Sequence, residues 1–267
     1  MRKKILFAVL LLIVLIPIIS IGGTIFSSFV YIISLLGINE FMCIRENKKC
    51  IPIFIKFLSF ISISFLFFSN IGGNLFLSID YRILSGIFLL FLIPTILYHD
   101  SSLYSINDSF YLMGGILFLG ISFSLLVVVR SLNFELFMYL FMISFFSDSY
   151  AFITGSLIGK KRLLFDISPS KTIEGMIGGV VFGTFIPTLY YITVVNPQFN
   201  LLFLIFITLF LCVLGQIGDL CFSSIKRYFN KKDFSDLLPG HGGILDRCDS
   251  MIFIMLGFMF FINIIGG

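Results

Sequence analysis

Charge is scarce along this chain. Aspartate, glutamate, lysine and arginine together make up 12% of its 267 residues, against 58% for apolar side chains, a balance far from that of soluble domains. No polar interval is long enough to fold separately, so one membrane domain covering residues 1–267 is expected. The five cysteines (Cys43, Cys50, Cys212, Cys221 and Cys248) are scattered, odd in number and without C-x-x-C spacing, indicating neither a disulfide framework nor a zinc site. The net charge of +4 is modest. No basic-aromatic module of the RRM kind is present, and nucleic acid is not expected as a partner.

What the chain has instead is apolar runs from end to end. A run of roughly 17–25 apolar residues crosses the hydrocarbon, and such runs fall near residues 5–21, 24–38, 51–69, 83–98, 111–129, 134–153, 174–195, 200–218 and 251–266. The expected fold class is therefore all-α, a polytopic integral membrane protein with about nine transmembrane helices. The first run has a basic start but no clear small-x-small cleavage site, so it reads as a retained span, not a signal peptide. Only Gly22 and Gly23 separate the first two runs, and the second and fourth are short, which leaves eight spans as the alternative.

Basic residues decide between them. With nine spans and a cytoplasmic N-terminus, the inner loops carry Arg2, Lys3, Lys4, Arg45, Lys48, Lys49, Lys160, Lys161, Arg162, Lys171, Lys226, Arg227, Lys231, Lys232 and Arg247. Arg82 and Arg130 fall outside, and Lys56 snorkels from the inner end of the third span. This is the positive-inside bias, and shifting the span count before residue 100 spoils it. The same arrangement puts the charge-rich loops 154–173 and 219–250 at the cytoplasmic face. The shorter inner loop 99–110 is polar, and His99 reads as an interfacial residue.

Three places carry chemistry. Asp148 lies inside the apolar run LFMYLFMISFFSDSYAFITGSLIG, where a charge costs about 2.5–3.5 kcal/mol. Either a polar contact with a neighbouring helix or a cavity reached from the cytoplasm offsets that cost. In SPSKTIEG, Thr172 is placed to cap the seventh span with Glu174 in its first turn. Ser168, Lys171 and Thr172 also suit an anion held at a helix N-terminus.

The third place is the loop GQIGDLCFSSIKRYFNKKDFSDLLPGHGGILDRCDS. Asp219 ends the eighth span, while Asp246 and Asp249 open the ninth, three apart and so on one helical face. Carboxylates from two helix ends can share a magnesium ion, whose other positions go to water and substrate phosphates. Lys226, Arg227 and Lys232 supply cations for phosphate oxygens, or anchor the loop. Glycines in PGHGG permit positive φ and close backbone approach. His241 reads as a turn residue or a proton carrier.

The run from Ser223 to Asp249 resembles the signature of the phosphatidate cytidylyltransferases, also called CDP-diacylglycerol synthases. It matches at Ser223, Lys226, Arg227, Lys232, Asp233, Pro239, His241, Gly242, Gly243, Asp246, Arg247 and Asp249. Upstream, Asp148 with Ala151 and Phe152 resembles the family's intramembrane aspartate motif, and Ser168, Pro169, Lys171, Thr172, Glu174 and Gly175 its Ser-Pro-x-Lys-Thr-x-Glu-Gly loop. Ser170 stands where a basic residue is frequent, which removes one expected phosphate contact, and Cys248 where an aliphatic one is usual.

The resemblance is detailed over residues 148–249, the expected catalytic motifs. Residues 1–147 are expected to be N-terminal spans and residues 250–267 the last span. It implies transfer of CMP from CTP to phosphatidic acid, giving CDP-diacylglycerol and pyrophosphate, at the cytoplasmic side of the inner (plasma) membrane. It further implies magnesium, with a second, monovalent cation left open, and a homodimer among membrane lipids.

On this reading Asp219, Asp246 and Asp249 form the metal centre, with Asp219 and Asp246 favoured for direct ligation, and with Lys226 and Arg227 they make the catalytic set. Asp148, Ser168, Lys171, Thr172, Glu174, Lys232, Asp233, His241, Gly242, Gly243 and Arg247 complete the substrate cleft. A CTP-dependent polyprenol kinase is the nearest alternative. A CDP-alcohol phosphotransferase lacks support because its DG-x-x-AR motif is absent. A cation or phosphate transporter would not explain why lysines, arginines and carboxylates crowd one face.

Overall fold

A computed structural model describes residues 13, 15–46, 50–71, 81–98, 103–238, 240 and 242–265. Most of the first expected span lies outside these residues, as do Arg2, Lys3, Lys4, Lys48, Lys49, His99, Pro239 and His241. The described chain is helical: α1 (Gly23–Glu46), α2 (Ile53–Ile71), α3 (Tyr81–Leu97), α4 (Ile106–Leu132), α5 (Phe134–Ile158), α6 (Ile173–Tyr190), α7 (Leu201–Tyr228), α8 (Leu245–Phe258) and α9 (Ile262–Ile265). Between α5 and α6 lies one antiparallel hairpin, β1 (Arg162–Leu164) and β2 (Ser168–Thr172), and α6 continues as a π-helical turn over Tyr191–Val195.

Five helices are long and apolar enough to cross a membrane among the described residues: α1, α4, α5, α6 with its π turn, and α7. Apolar stretches of α2 and α3 are shorter. The structure is thus that of a helical integral membrane protein.

Three expected spans depart most from the helices that form. α1 runs eight residues past the expected end at Ile38 and carries Glu40 and Arg45 in helical conformation. α7 continues past Gly218 through Lys226 and Arg227. Hydropathy marks where lipid contact ends, whereas the backbone ladder continues as long as each N–H finds its carbonyl. The last span begins earlier, at Leu245, and α8 gives way after Phe258 to three-residue turns, with Phe260 N–H bonded to Gly257 O and Phe261 N–H to Phe258 O.

The chain divides into two compact units: Met1–Val128 with Phe229–Asp246, and Val129–Tyr228 with Arg247–Gly267. In the first, Gly22 and Gly23 take φ of 69° and 55°, a left-handed conformation that costs glycine nothing and sets α1 off from the helical residues before it. The Tyr31 hydroxyl and Ser64 Oγ, 2.8 Å apart, tie α1 to α2. Phe41 stacks on Tyr111 of α4 with ring centroids 4.4 Å apart, and the Tyr111 hydroxyl donates to Phe41 O at 2.9 Å. Arg45 of α1 forms an ion pair with Asp108 of α4, both buried. Asp108 also accepts from Ser105 N–H at 2.9 Å, capping the start of α4.

The second unit is built on close helix contact. Asn133 Oδ1 accepts from Glu135 N–H at 2.7 Å and starts α5. Gly175, Gly179 and Gly183 recur every fourth residue on the α6 face toward α5. A Cβ on Gly179 would lie 2.7 Å from Ser147 O and 2.5 Å from Gln216 Nε2. This small-residue stripe lets the backbones of α5 and α6 touch, and α7 closes the third side.

Candidate active site

A cavity of about 430 Å³ opens in the second unit, walled by α5, the hairpin, the first turn of α6 and the middle of α7. Asp148, Lys171, Thr172 and Asp219, all expected from the sequence, line it, together with Arg162, Ser170 and Gln216. The apolar part of α7 from Leu201 to Gly218 covers about 27 Å at 1.5 Å per residue. Asp219 therefore falls where a hydrocarbon core of about 30 Å would end.

Each charged group on the wall has a defined setting. Lys171 Nζ forms an ion pair with Asp219 Oδ2, and Asp219 Oδ1 accepts from Ser223 Oγ, one turn further along α7, at 3.5 Å. Asp148 Oδ1 accepts from Ser250 Oγ at 3.3 Å. Asp249 is buried, accepts from Ser250 N–H at 2.8 Å, and lies within electrostatic reach of Asp219, Asp148 and Lys226. Gln216 Nε2 donates to Ser147 Oγ at 3.0 Å and Met176 O at 3.2 Å, so the cavity floor is held by fixed dipoles.

The hairpin is stapled to α6. Thr172 caps the helix, its Oγ1 accepting from Gly175 N–H at 3.1 Å, and Ile173 N–H bonds to Lys161 O at 2.9 Å. These contacts occupy N–H groups that the sequence left open to an anion. Glu174 is half-buried and accepts from Lys160 N–H at 3.0 Å and Lys161 N–H at 3.2 Å. Arg227 Nε donates to Ile167 O at 3.1 Å, which ties the hairpin to the end of α7. Ser168 begins β2 opposite Leu164 and is not among the cavity-lining residues. Lys226 is buried in the last turn of α7, where a cation complements the helix dipole.

Lys232, Asp233, Gly242, Gly243 and Asp246 belong to the first unit, and Arg247 is the first residue of the second within α8. Gly240 and Gly242 have φ of 74° and 80°, and Leu238 N–H bonds to Gly242 O at 2.9 Å, closing the glycine turn. Asp246 Oδ2 accepts from Phe234 N–H and Gly243 N–H, each at 2.9 Å. Lys232 and Asp233 are exposed.

Sequence reasoning passed over one residue that organises this loop. Glu40 of α1 is 3% exposed. Its Oε1 accepts from Ser235 Oγ at 2.6 Å and Ile244 N–H at 2.9 Å, and its Oε2 from Leu245 N–H at 2.9 Å. The carboxylate thereby caps α8. A Cβ on Gly243 would lie 2.6 Å from Glu40 Oε2, so only glycine leaves room for this contact. The signal was a carboxylate in the apolar context LLGINEFMCIRE, the same kind of anomaly that singled out Asp148.

Long apolar helices around a cavity that holds paired carboxylates and cations define an integral membrane protein suited to polyanionic ligands. The cytidylyltransferase family model matches residues 2–265. The chain is 32% identical over 256 residues to a phosphatidate cytidylyltransferase of Staphylococcus haemolyticus (strain JCSC1435), covering 96% of each chain. It is 33% identical over 258 residues to the protein of that name from Staphylococcus saprophyticus, and 32% over 258 residues to that of Staphylococcus aureus (strain COL), again with 96% of each chain covered. The chain belongs to the cytidylyltransferase family.

Proposed function

We propose that the protein is a CTP-dependent nucleotidyltransferase that joins CTP and phosphatidic acid to give CDP-diacylglycerol and pyrophosphate. An oxygen of the lipid phosphate attacks the α-phosphorus of CTP, the bond from that phosphorus to the bridging oxygen breaks, and pyrophosphate leaves with the electron pair. The lipid phosphate is ionised near neutral pH and needs no strong base. The task is to bring two polyanions together and neutralise them. The observation that carries the reading is the cavity in which Lys171, Asp219, Asp148 and Thr172 meet at one end of apolar helices.

Among the described residues no group of three or more acidic, histidine or cysteine side chains would cage a metal. Magnesium does not require one, since it binds through one or two carboxylates with water and substrate phosphates completing its shell. Asp219 and Asp249 fit on donor chemistry, being hard oxygen ligands within electrostatic reach of each other in one unit. Asp246 is the third carboxylate that the resemblance assigns to the centre. When bound, the ion would withdraw charge from the phosphates. Lys171, Lys226, Arg227 and Arg247 hold phosphate oxygens, and Asp219 orients Lys171. Ser168, Thr172 and Glu174 hold the hairpin at the head of α6, and Asp148 keeps the cavity polar; Lys232, Asp233, His241, Gly242 and Gly243 are assigned to substrate binding by the resemblance.

The same proposal includes nine spans, the site at the cytoplasmic face of the inner (plasma) membrane, and a homodimer. Purified protein with labelled CTP and phosphatidic acid in mixed micelles tests the activity. Cytidine label in the lipid, lost on magnesium removal by EDTA and regained on its return, is the expected result. Transfer of γ-phosphate to an added polyprenol would replace the reading with a kinase, and no transfer to either lipid would remove it.

A further inference from the structure

We infer that Arg162, on β1 of the hairpin, is a phosphate-binding residue of this cavity, supplying the cation that Ser170 does not. The inference rests on the nucleotidyl-transfer reading and names a contact within it. Four charged residues line the cavity: Asp148, Asp219, Lys171 and Arg162. Lys171 is committed to Asp219. The Arg162 side chain has no hydrogen bond or ion pair among the described residues, and it is exposed to the cavity rather than packed. It is thus the uncommitted cation on a wall that otherwise carries two carboxylates and one neutralised lysine.

Backbone geometry fixes where this arginine stands. Arg162 pairs with Thr172 across the hairpin, and the register shifts before Leu164 meets Ser168. Lys160 and Lys161, immediately before it, are bonded to Glu174, and Ile173 N–H is bonded to Lys161 O. The strand is therefore anchored to the first turn of α6 on the N-terminal side of Arg162. Ser170 lines the same cavity from the opposite strand, offering a hydroxyl where the family resemblance leads one to look for a charge.

The capping contacts of α6 strengthen the case. With Gly175 N–H given to Thr172 and Ile173 N–H to Lys161, an anion at this end of the cavity relies on side chains more than on helix amides. A guanidinium presents a planar fork of donors that matches two phosphate oxygens at once, which an ammonium does not. The ligand chemistry is a phosphate oxyanion. Its two sources are the triphosphate of the nucleotide and the monoester of the lipid.

The test is steady-state kinetics of the full-length protein in mixed micelles, with CTP and phosphatidic acid varied separately. Arg162→Ala is expected to raise one KM by about tenfold or more, the scale of a lost charge-assisted hydrogen bond, with a smaller change in kcat. A rise for CTP assigns the triphosphate, and a rise for the lipid assigns the monoester. Arg162→Lys is expected to recover only part of the loss, because it restores charge without the fork. Lys160→Ala, a basic residue on the same segment but outside the cavity lining, separates this contact from a general basic surface.

Both KM values unchanged in Arg162→Ala, or an equal rise in Lys160→Ala, would overturn the inference. If Arg162→Ala lowers the melting temperature in detergent, Arg162→Gln, which keeps most of the side chain, is compared in its place. Failure of the unsubstituted protein to make CDP-diacylglycerol would count against the functional reading itself and is scored separately.

Discussion

Replacing Glu40 by alanine should loosen the loop that carries half of the family signature, although Glu40 lies 195 residues before the first of its loop partners. The carboxylate receives three hydrogen bonds, from Ser235 Oγ and from the N–H groups of Ile244 and Leu245. Hydrogen bonds to a charged group contribute about 1.5–3 kcal/mol each, and each stranded buried N–H costs about 1–3 kcal/mol. These contributions overlap, and water fills part of the gap, so a net loss of about 3–5 kcal/mol is expected. For a chain of this size that lowers the melting temperature by about 10 °C.

Glu40→Gln keeps one acceptor but turns an NH2 toward an N–H, and its loss should be smaller. Gly243→Ala presses a Cβ onto the same carboxylate, where 2.6 Å is available, and damages the same contact from the other side. The assay is thermal unfolding in detergent of both single variants and the double variant. Because the residues touch, the double variant should fall short of the sum of the singles. A melting temperature for Glu40→Ala within about 2 °C of the parent, or strict additivity with Gly243→Ala, would refute the capping argument.

Two further expectations concern the cavity and its hairpin. Asp219→Asn and Lys171→Met should each reduce CMP transfer by about a hundredfold or more. The double variant should lose little beyond either single, because the two groups act as one unit; multiplicative losses in initial rates would refute the pairing. Glu174→Gln should speed tryptic cleavage within the Lys160–Lys161–Arg162 segment severalfold, since Glu174 binds the two N–H groups that hold that strand in place. An unchanged cleavage time course on gels would show that the strand is held by other means.

Much of this was readable in the chain itself. The apolar runs mark where α2 to α7 lie, and the anomalous carboxylate at Asp148, the SPSKT segment and Asp219 point to residues that line one cavity. Two features escaped for physical reasons. The hairpin is built from strands of three and five residues, one containing Pro169, too short and polar for an alternating pattern to register. Glu40 escaped because no local spacing encodes a partner two hundred residues away, and because the expected span stopped at Ile38 where its lipid-facing stretch ends. Ser170 was legible as a missing cation, but its neighbour Arg162 lies eight positions upstream and is brought to the same wall only by the hairpin.

The long separation between Glu40 and its partners also bears on how the protein is made. At about 5–20 residues per second, the ribosome emits Glu40 some 10–40 seconds before Ser235, Ile244 and Leu245 exist. Throughout that interval the insertion machinery or water must accommodate a polar side chain that lacks its final partners. A nascent chain arrested before the glycine turn therefore carries the Glu40 carboxyl without the three donors that meet it in the folded protein.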